Sequence, residues 1–64
     1  MDVRECINIY QNLVDTIIIQ HNNGNEFEVP SEDAEFLSEN IMQLGVSVVN
    51  MYPNADYCII YLDD

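Results

Sequence analysis

The chain predicts an α+β fold: a small antiparallel sheet of three strands, or four on the competing reading of residues 46–52, carrying one long helix on one face and a short N-terminal helix. Three observations predict it. Segments 14–20 and 57–62 are dense in β-branched and aromatic residues, the composition of a pleated, buried surface. Asn23-Gly24 stands between two such segments and is a strong hairpin signal. An apolar stripe, Ala34, Leu37, Ile41, Leu44, Val48 and Met51, recurs at helical spacing. At 64 residues the chain is one domain, 1–64.

The N-terminal element is predicted over 2–13. Asp2 and Glu5 have capping-box spacing, and Val3, Cys6, Ile7 and Tyr10 recur at i, i+3, i+4 and i+7. Asn8, Ile9 and Asn12 are mediocre helix formers, so a strand through Cys6–Tyr10 is the competing reading. Residues 14–20 form a strand, residues 21–25 a turn, and residues 25–30 a returning strand. That strand alternates Glu26 and Glu28 with Phe27 and Val29 before Pro30 ends the pairing. A glutamate-bearing strand closed by proline suits a sheet edge.

Ser31 is a natural N-cap, with Glu32 and Asp33 at the positive end of a helix dipole. The matched stripe predicts one helix over 31–51, about 30 Å long. Gly45 and Val46-Ser47-Val48-Val49 support the competing reading, a helix ending near Leu44 and a strand over 46–52. Residues 53–56 form a turn. Residues 57–62, apolar on both faces, make a central last strand, and the expected strand order is 14–20 in the middle with 25–30 and 57–62 on either side. The sheet face away from the long helix needs a cover, either the N-terminal helix or another copy of the chain.

Twelve acidic side chains face one arginine, Arg4, no lysine and one histidine, His21, a formal charge of -11. Hydrophobic residues still make up 48% of the chain, enough for a core and unlike an acidic disordered tail. Direct nucleic-acid binding needs clustered Lys and Arg, and a polybasic membrane anchor needs them too, so both are excluded. No apolar run approaches the ~20 residues of a membrane span. Met1-Asp2 opens no signal peptide, and Cys6 and Cys58 read as two buried free thiols. These readings place the chain in a reducing cytoplasm. A domain of this size holds only about 3–5 kcal/mol of stability unaided, so a partner or a second copy, a homodimer, is expected to help.

No catalytic, metal or cofactor site is predicted. His21 sits in a turn; Ser31, Ser38 and Ser47 lack a base beside them; and Asn22-Asn23-Gly24-Asn25-Glu26 is too short for a calcium loop. The acidic pattern says more. Glu32, Glu35 and Glu39 are spaced i, i+3, i+7 on the predicted helix, opposite its apolar stripe and with no cation at i±3 or i±4. Glu26 and Glu28 line the exposed face of the edge strand, and Asp63 and Asp64 close the C-terminal end. Phe36 beside the glutamates is either an ordinary exposed aromatic or, on the sharper reading, an aromatic anchor inside an acidic patch. A solvated, solubilising face is the plainest reading of these charges, yet solubility is ordinarily served by mixed signs. Near-total removal of cations points to a basic partner.

In size, charge and strand–hairpin–helix–strand order from Asp15 to Leu62, the chain resembles the small acidic DNA-mimic inhibitors that bacteriophages and mobile elements make against host nucleases, glycosylases, polymerases and CRISPR effectors. The resemblance is one of class and rests on no shared motif. It implies a counter-defence protein that occludes a basic, nucleic-acid-binding surface of a host enzyme or defence effector, working in the host cytoplasm. Two other readings remain: a homodimeric adaptor or accessory subunit that works through its apolar sheet face, and an antitoxin-like neutraliser of a basic toxin.

Overall fold

A computed structural model describes residues 1–64 as four strands and short helices in the order α1 (Val3–Tyr10), β1 (Thr16–Gln20), β2 (Glu26–Pro30), a 3-10 helix (Ser31–Phe36), α2 (Glu39–Met42), β3 (Val46–Tyr52), a 3-10 turn (Pro53–Ala55) and β4 (Tyr57–Leu62). The α+β class holds. The capping box forms as its spacing predicts: the Asp2 carboxylate accepts from the Glu5 N–H, and the Glu5 carboxylate accepts from the Asp2 N–H. The hairpin forms around Gly24, whose φ of +95° is the backbone state that Asn-Gly turns favour.

The long helix over 31–51 does not form. The chain instead breaks twice, at Leu37-Ser38 and at Gly45, and residues 46–52 are a strand. Leu37 and Ser38 are both extended, with ψ near 150°, and the Ser38 hydroxyl accepts from the Ile41 N–H to start α2 afresh. Beyond Gly45, the β-branched Val46, Val48 and Val49 gain a full partner strand in β4, a nonlocal reward that local helical periodicity does not weigh. Ser31 does not cap a helix either. Pro30 occupies that position, and the buried Ser31 hydroxyl donates to the Val14 carbonyl oxygen at 2.6 Å.

The sheet is mixed rather than wholly antiparallel, in the order β2-β1-β4-β3. β1 and β4 are central, as their two-sided apolar character predicts, but they run parallel, with Ile18 opposite Ile59. The added strand β3 accounts for this, because its hairpin with β4 delivers the chain to β4 from the other end. Ile17 and Ile19 of β1 and Cys58, Ile60 and Leu62 of β4 point to one face, where they are sealed by Val3, Cys6 and Ile7 of α1, Ala34 of the 3-10 helix and Met42 of α2. All the helices therefore cover the same face. α1 does not cover the other one, which carries Ile18, Tyr57, Ile59 and Tyr61, none of them fully buried.

Candidate acidic binding surface

Eleven of the twelve carboxylate side chains are exposed, and Asp2 is half-buried. Two ion pairs form. Arg4 on α1 binds Glu39 on α2, which holds the Glu39 carboxyl below its ordinary range, with help from the Gln43 side chain. His21 Nδ1 lies 2.6 Å from Asp64 Oδ2, and the Asn22 N–H donates to the other oxygen of that carboxylate at 2.9 Å. The His21 ring and the Asn22 amide hold the Asp64 carboxyl below its ordinary range. Ten of the twelve carboxylates, 12 less these 2, have no cation against them.

The predicted acidic stripe is divided by the broken helix. Glu32 and Glu35 remain on the 3-10 helix with the exposed Phe36, while Glu39 sits on α2 and is paired with Arg4 of another helix, although no cation lies at i±3 or i±4 to it. Arg4 lies 35 positions from Glu39, beyond the reach of any i±4 rule. Glu26 and Glu28 are exposed on β2 as predicted. In register they stand opposite Gln20 and Ile18, which places them on the uncovered sheet face and away from the helical layer that holds Glu32 and Glu35. Asp63 lies beside Gly45, and Asp64 belongs to the His21 contact. The eight predicted residues thus occupy two sides and one corner of the molecule rather than one continuous patch.

Two carboxylates that sequence reasoning did not single out complete one of these sides. An open trough of about 930 Å³ runs where β1 begins and β2 ends, lined among others by Asp15, Glu32, Glu35 and Asp56. The Asp15 N–H donates to both the backbone carbonyl and the Oδ1 of Asp56, each at 3.1 Å. Asp56 holds the left-handed conformation, φ 63°, ψ 38°, that turns it toward Asp15. A hydrogen bond to Asp56, together with that residue's negative charge, pushes the Asp15 carboxyl above its ordinary range. Nothing in the sequence pairs these residues; the parallel β1–β4 register does.

The uncovered sheet face forms the second candidate surface. Its centre is Ile18, Ile59 and Tyr61; Tyr57 and Tyr52 stack at 4.8 Å between ring centroids; and Val48 and Tyr52 are exposed. Glu26 and Glu28 border it on the β2 side. No buried side-chain polar atom is left without a hydrogen-bond partner, and no group of three or more His, Cys, Asp or Glu side chains is placed to hold a metal ion.

No protein-family model, curated protein or solved structure matches the chain. The site therefore rests on its own chemistry. Four of the side chains that could serve as nucleophiles have structural roles: Ser31 is buried on Val14, Ser38 caps α2, and Cys6 and Cys58 are fully buried, while Ser47 is exposed on β3. Burial pushes the Cys58 thiol up to about 11 and raises that of Cys6 as well, which keeps both as thiols at neutral pH. No helix is long and apolar enough to cross a membrane. What the surface offers is negative charge on two sides and an apolar–aromatic sheet face bordered by one of them.

Proposed function

We propose that the protein is a small acidic inhibitor, of phage or mobile-element type, that occludes a basic nucleic-acid-binding surface of a host protein in the host cytoplasm. The observation that carries this reading is the set of ten carboxylates without a cation against them, all but one on exposed residues. Self-repulsion among these charges works against folding, and a cationic partner surface turns that cost into attraction. Glu32, Glu35, Asp15 and Asp56 around the trough supply carboxylates where a DNA backbone supplies phosphates, and the exposed Phe36 follows Glu35 on the same 3-10 helix. Glu26, Glu28 and Asp63 extend the field; Glu39 and Asp64, already paired, add less. Such a surface accelerates encounter and makes binding strongly salt-dependent.

A second reading is favoured by the uncovered sheet face. Ile18, Ile59 and Tyr61 form a surface that an adaptor or accessory subunit would use, with the acids serving solubility. An antitoxin-like neutraliser shares the physics of the first reading.

The test is capture of host proteins on the immobilised chain, followed by competition with duplex DNA and by a salt series. The expected partner is a basic nucleic-acid-binding protein that DNA displaces, released as salt rises, and lost when Glu26, Glu28, Glu32 and Glu35 are together replaced by Gln. Binding that survives high salt, ignores DNA and needs Ile59 instead would overturn occlusion and favour the adaptor.

A further inference from the structure

The two edges of the sheet are built differently. β2 carries exposed Glu26 and Glu28 and ends at Pro30, devices that discourage pairing with another strand. β3, Val46–Tyr52, is the longest strand and contains no ionisable group except the Tyr52 phenol, and no proline. Its first residue is occupied, since the Val46 N–H donates to the Met1 carbonyl, and a register shift lies between Val46 and Val48. From Ser47 to Tyr52, no backbone hydrogen bond runs to anything outside the β3–β4 ladder. Alternate peptide groups along this outer edge therefore stand unpaired, a ready template for another strand.

The side chains indicate which strand. Val48, Asn50 and Tyr52 share the uncovered face, opposite Tyr61, Ile59 and Tyr57 of β4. Val48 is 50% exposed and Tyr52 39%, two of the six large hydrophobic residues that the fold leaves exposed. They lie two positions on either side of Asn50. An antiparallel two-fold centred on Asn50 sets Val48 of each chain against Tyr52 of the other, a β-branched–aromatic cross-strand pair, and Asn50 against Asn50. On the opposite face the same register joins Val49 to Met51, both half-buried. Net charge, -11 on each chain, opposes any self-association, but this geometry keeps the acidic β2 edges apart. With the order β2-β1-β4-β3 continued through its mate, the two β2 edges lie at the far ends of the sheet, about 34 Å apart at about 4.8 Å per strand. Glu26 and Glu28 of the two copies are then beyond several Debye lengths of each other in physiological salt.

We infer that β3 pairs antiparallel with β3 of a second copy about Asn50, making a continuous eight-stranded sheet with an acidic edge at each end. This is an edge contact and leaves the uncovered sheet face and the trough of each chain free, so the dimer is bivalent toward a basic partner.

Sedimentation velocity across protein concentration and salt tests it. The expected result is a mass that moves from one chain toward two as concentration rises, with tighter association at higher salt, because salt screens the net repulsion; binding to a basic partner weakens with salt, so the two associations are separable. Val48→Glu with Tyr52→Glu is expected to abolish the dimer while circular dichroism shows an unchanged fold. Asn50→Cys, oxidised with diamide, is expected to give a disulfide-linked dimer, with Cys6 and Cys58 buried out of reach. The same oxidation of Ser47→Cys should give far less. A monomer at every concentration and salt, or equal cross-linking at 47 and 50, overturns the inference. A dimer that persists in the Val48→Glu, Tyr52→Glu variant overturns it as well and assigns the contact to another surface.

Discussion

Asp56 presents its backbone carbonyl and one carboxylate oxygen to the same N–H group, that of Asp15, from 41 positions away. This contact brings the two side chains together, and hydrogen bonding to Asp56 together with its negative charge raises the Asp15 carboxyl above its ordinary range. A carboxyl whose folded pKa is raised adds stability that is complete below its unfolded pKa and is lost as pH rises through the folded one. Asp56→Asn keeps the carbonyl acceptor and tolerates the left-handed φ while removing the charge. The Asp15 carboxyl, followed by 13C NMR, is expected to titrate lower in this variant. The variant is expected to melt higher than the parent at pH 7 and to lose that advantage in acid. An unchanged Asp15 titration would show that the two carboxyls do not interact.

The Arg4–Glu39 pair has the opposite sign. Arg4 lowers the Glu39 carboxyl, so its contribution is present above the ordinary Glu range and is lost as pH falls through the lowered value. Arg4→Gln is expected to move the Glu39 titration upward. Both side chains are about half exposed or more, 46% and 63%, so the change in melting temperature is expected to be small. The pair also ranks the acids. Glu39→Gln should cost a basic partner less association rate than Glu32→Gln or Glu35→Gln, measured by stopped flow at low salt, because Arg4 already offsets its charge.

The features legible in the sequence are those fixed within a few residues. Asp2 and Glu5 announce the capping box; Asn23-Gly24 announces the hairpin; and the two-sided apolar strands announce the centre of the sheet. The first four members of the predicted helical stripe, Ala34, Leu37, Ile41 and Leu44, do pack on or against the core, but Ala34 and Ile41 do so from two separate short helices and Leu37 and Leu44 from the segments that follow them. The fifth, Val48, is exposed on a strand. A period of 3.6 was matched there by chance, because alternation along β3 and helical spacing coincide at isolated positions. The parallel register, Arg4 on Glu39 and Asp15 on Asp56 are all long-range, and no local pattern encodes them. The candidate site was accordingly legible as residue types and exposure, and not as an arrangement.

The two glycines make contrasting predictions. A Cβ on Gly24 would meet nothing within 4 Å, yet its φ of +95° strains any L side chain. Gly24→Ala is expected to cost about 1 kcal/mol, which for a domain of this size is about 4–8 °C in melting temperature. A Cβ on Gly45 would lie 2.6 Å from Asp63 Oδ1, an apparent clash. Asp63 is exposed and its carboxylate is free to rotate away, so Gly45→Ala should cost less than Gly24→Ala despite the tighter space. Paired thermal melts decide it, and the reverse order would show that Asp63 is held in place.

The buried thiols supply a gauge of global stability. Cys6 and Cys58 are 0% exposed, and Cys58 is raised to about 11, so an aromatic disulfide reagent is expected to reach them only when the core opens. Both should react at once in denaturant and very slowly in native buffer. Ile19 of β1 is also fully buried in the core, and Ile19→Ala is expected to cost about 2–5 kcal/mol, comparable with the whole stability of such a domain. Where opening and closing are fast relative to labelling, each 1.4 kcal/mol multiplies the labelling rate tenfold. The variant is therefore expected to label about 30-fold faster or more, up to the unfolded rate. Added salt should slow labelling in both proteins, since screening eases the repulsion among carboxylates in the compact state. Labelling that is fast in native buffer and insensitive to Ile19→Ala would mean that the thiols open locally, through α1 or the end of β4, without loss of the core.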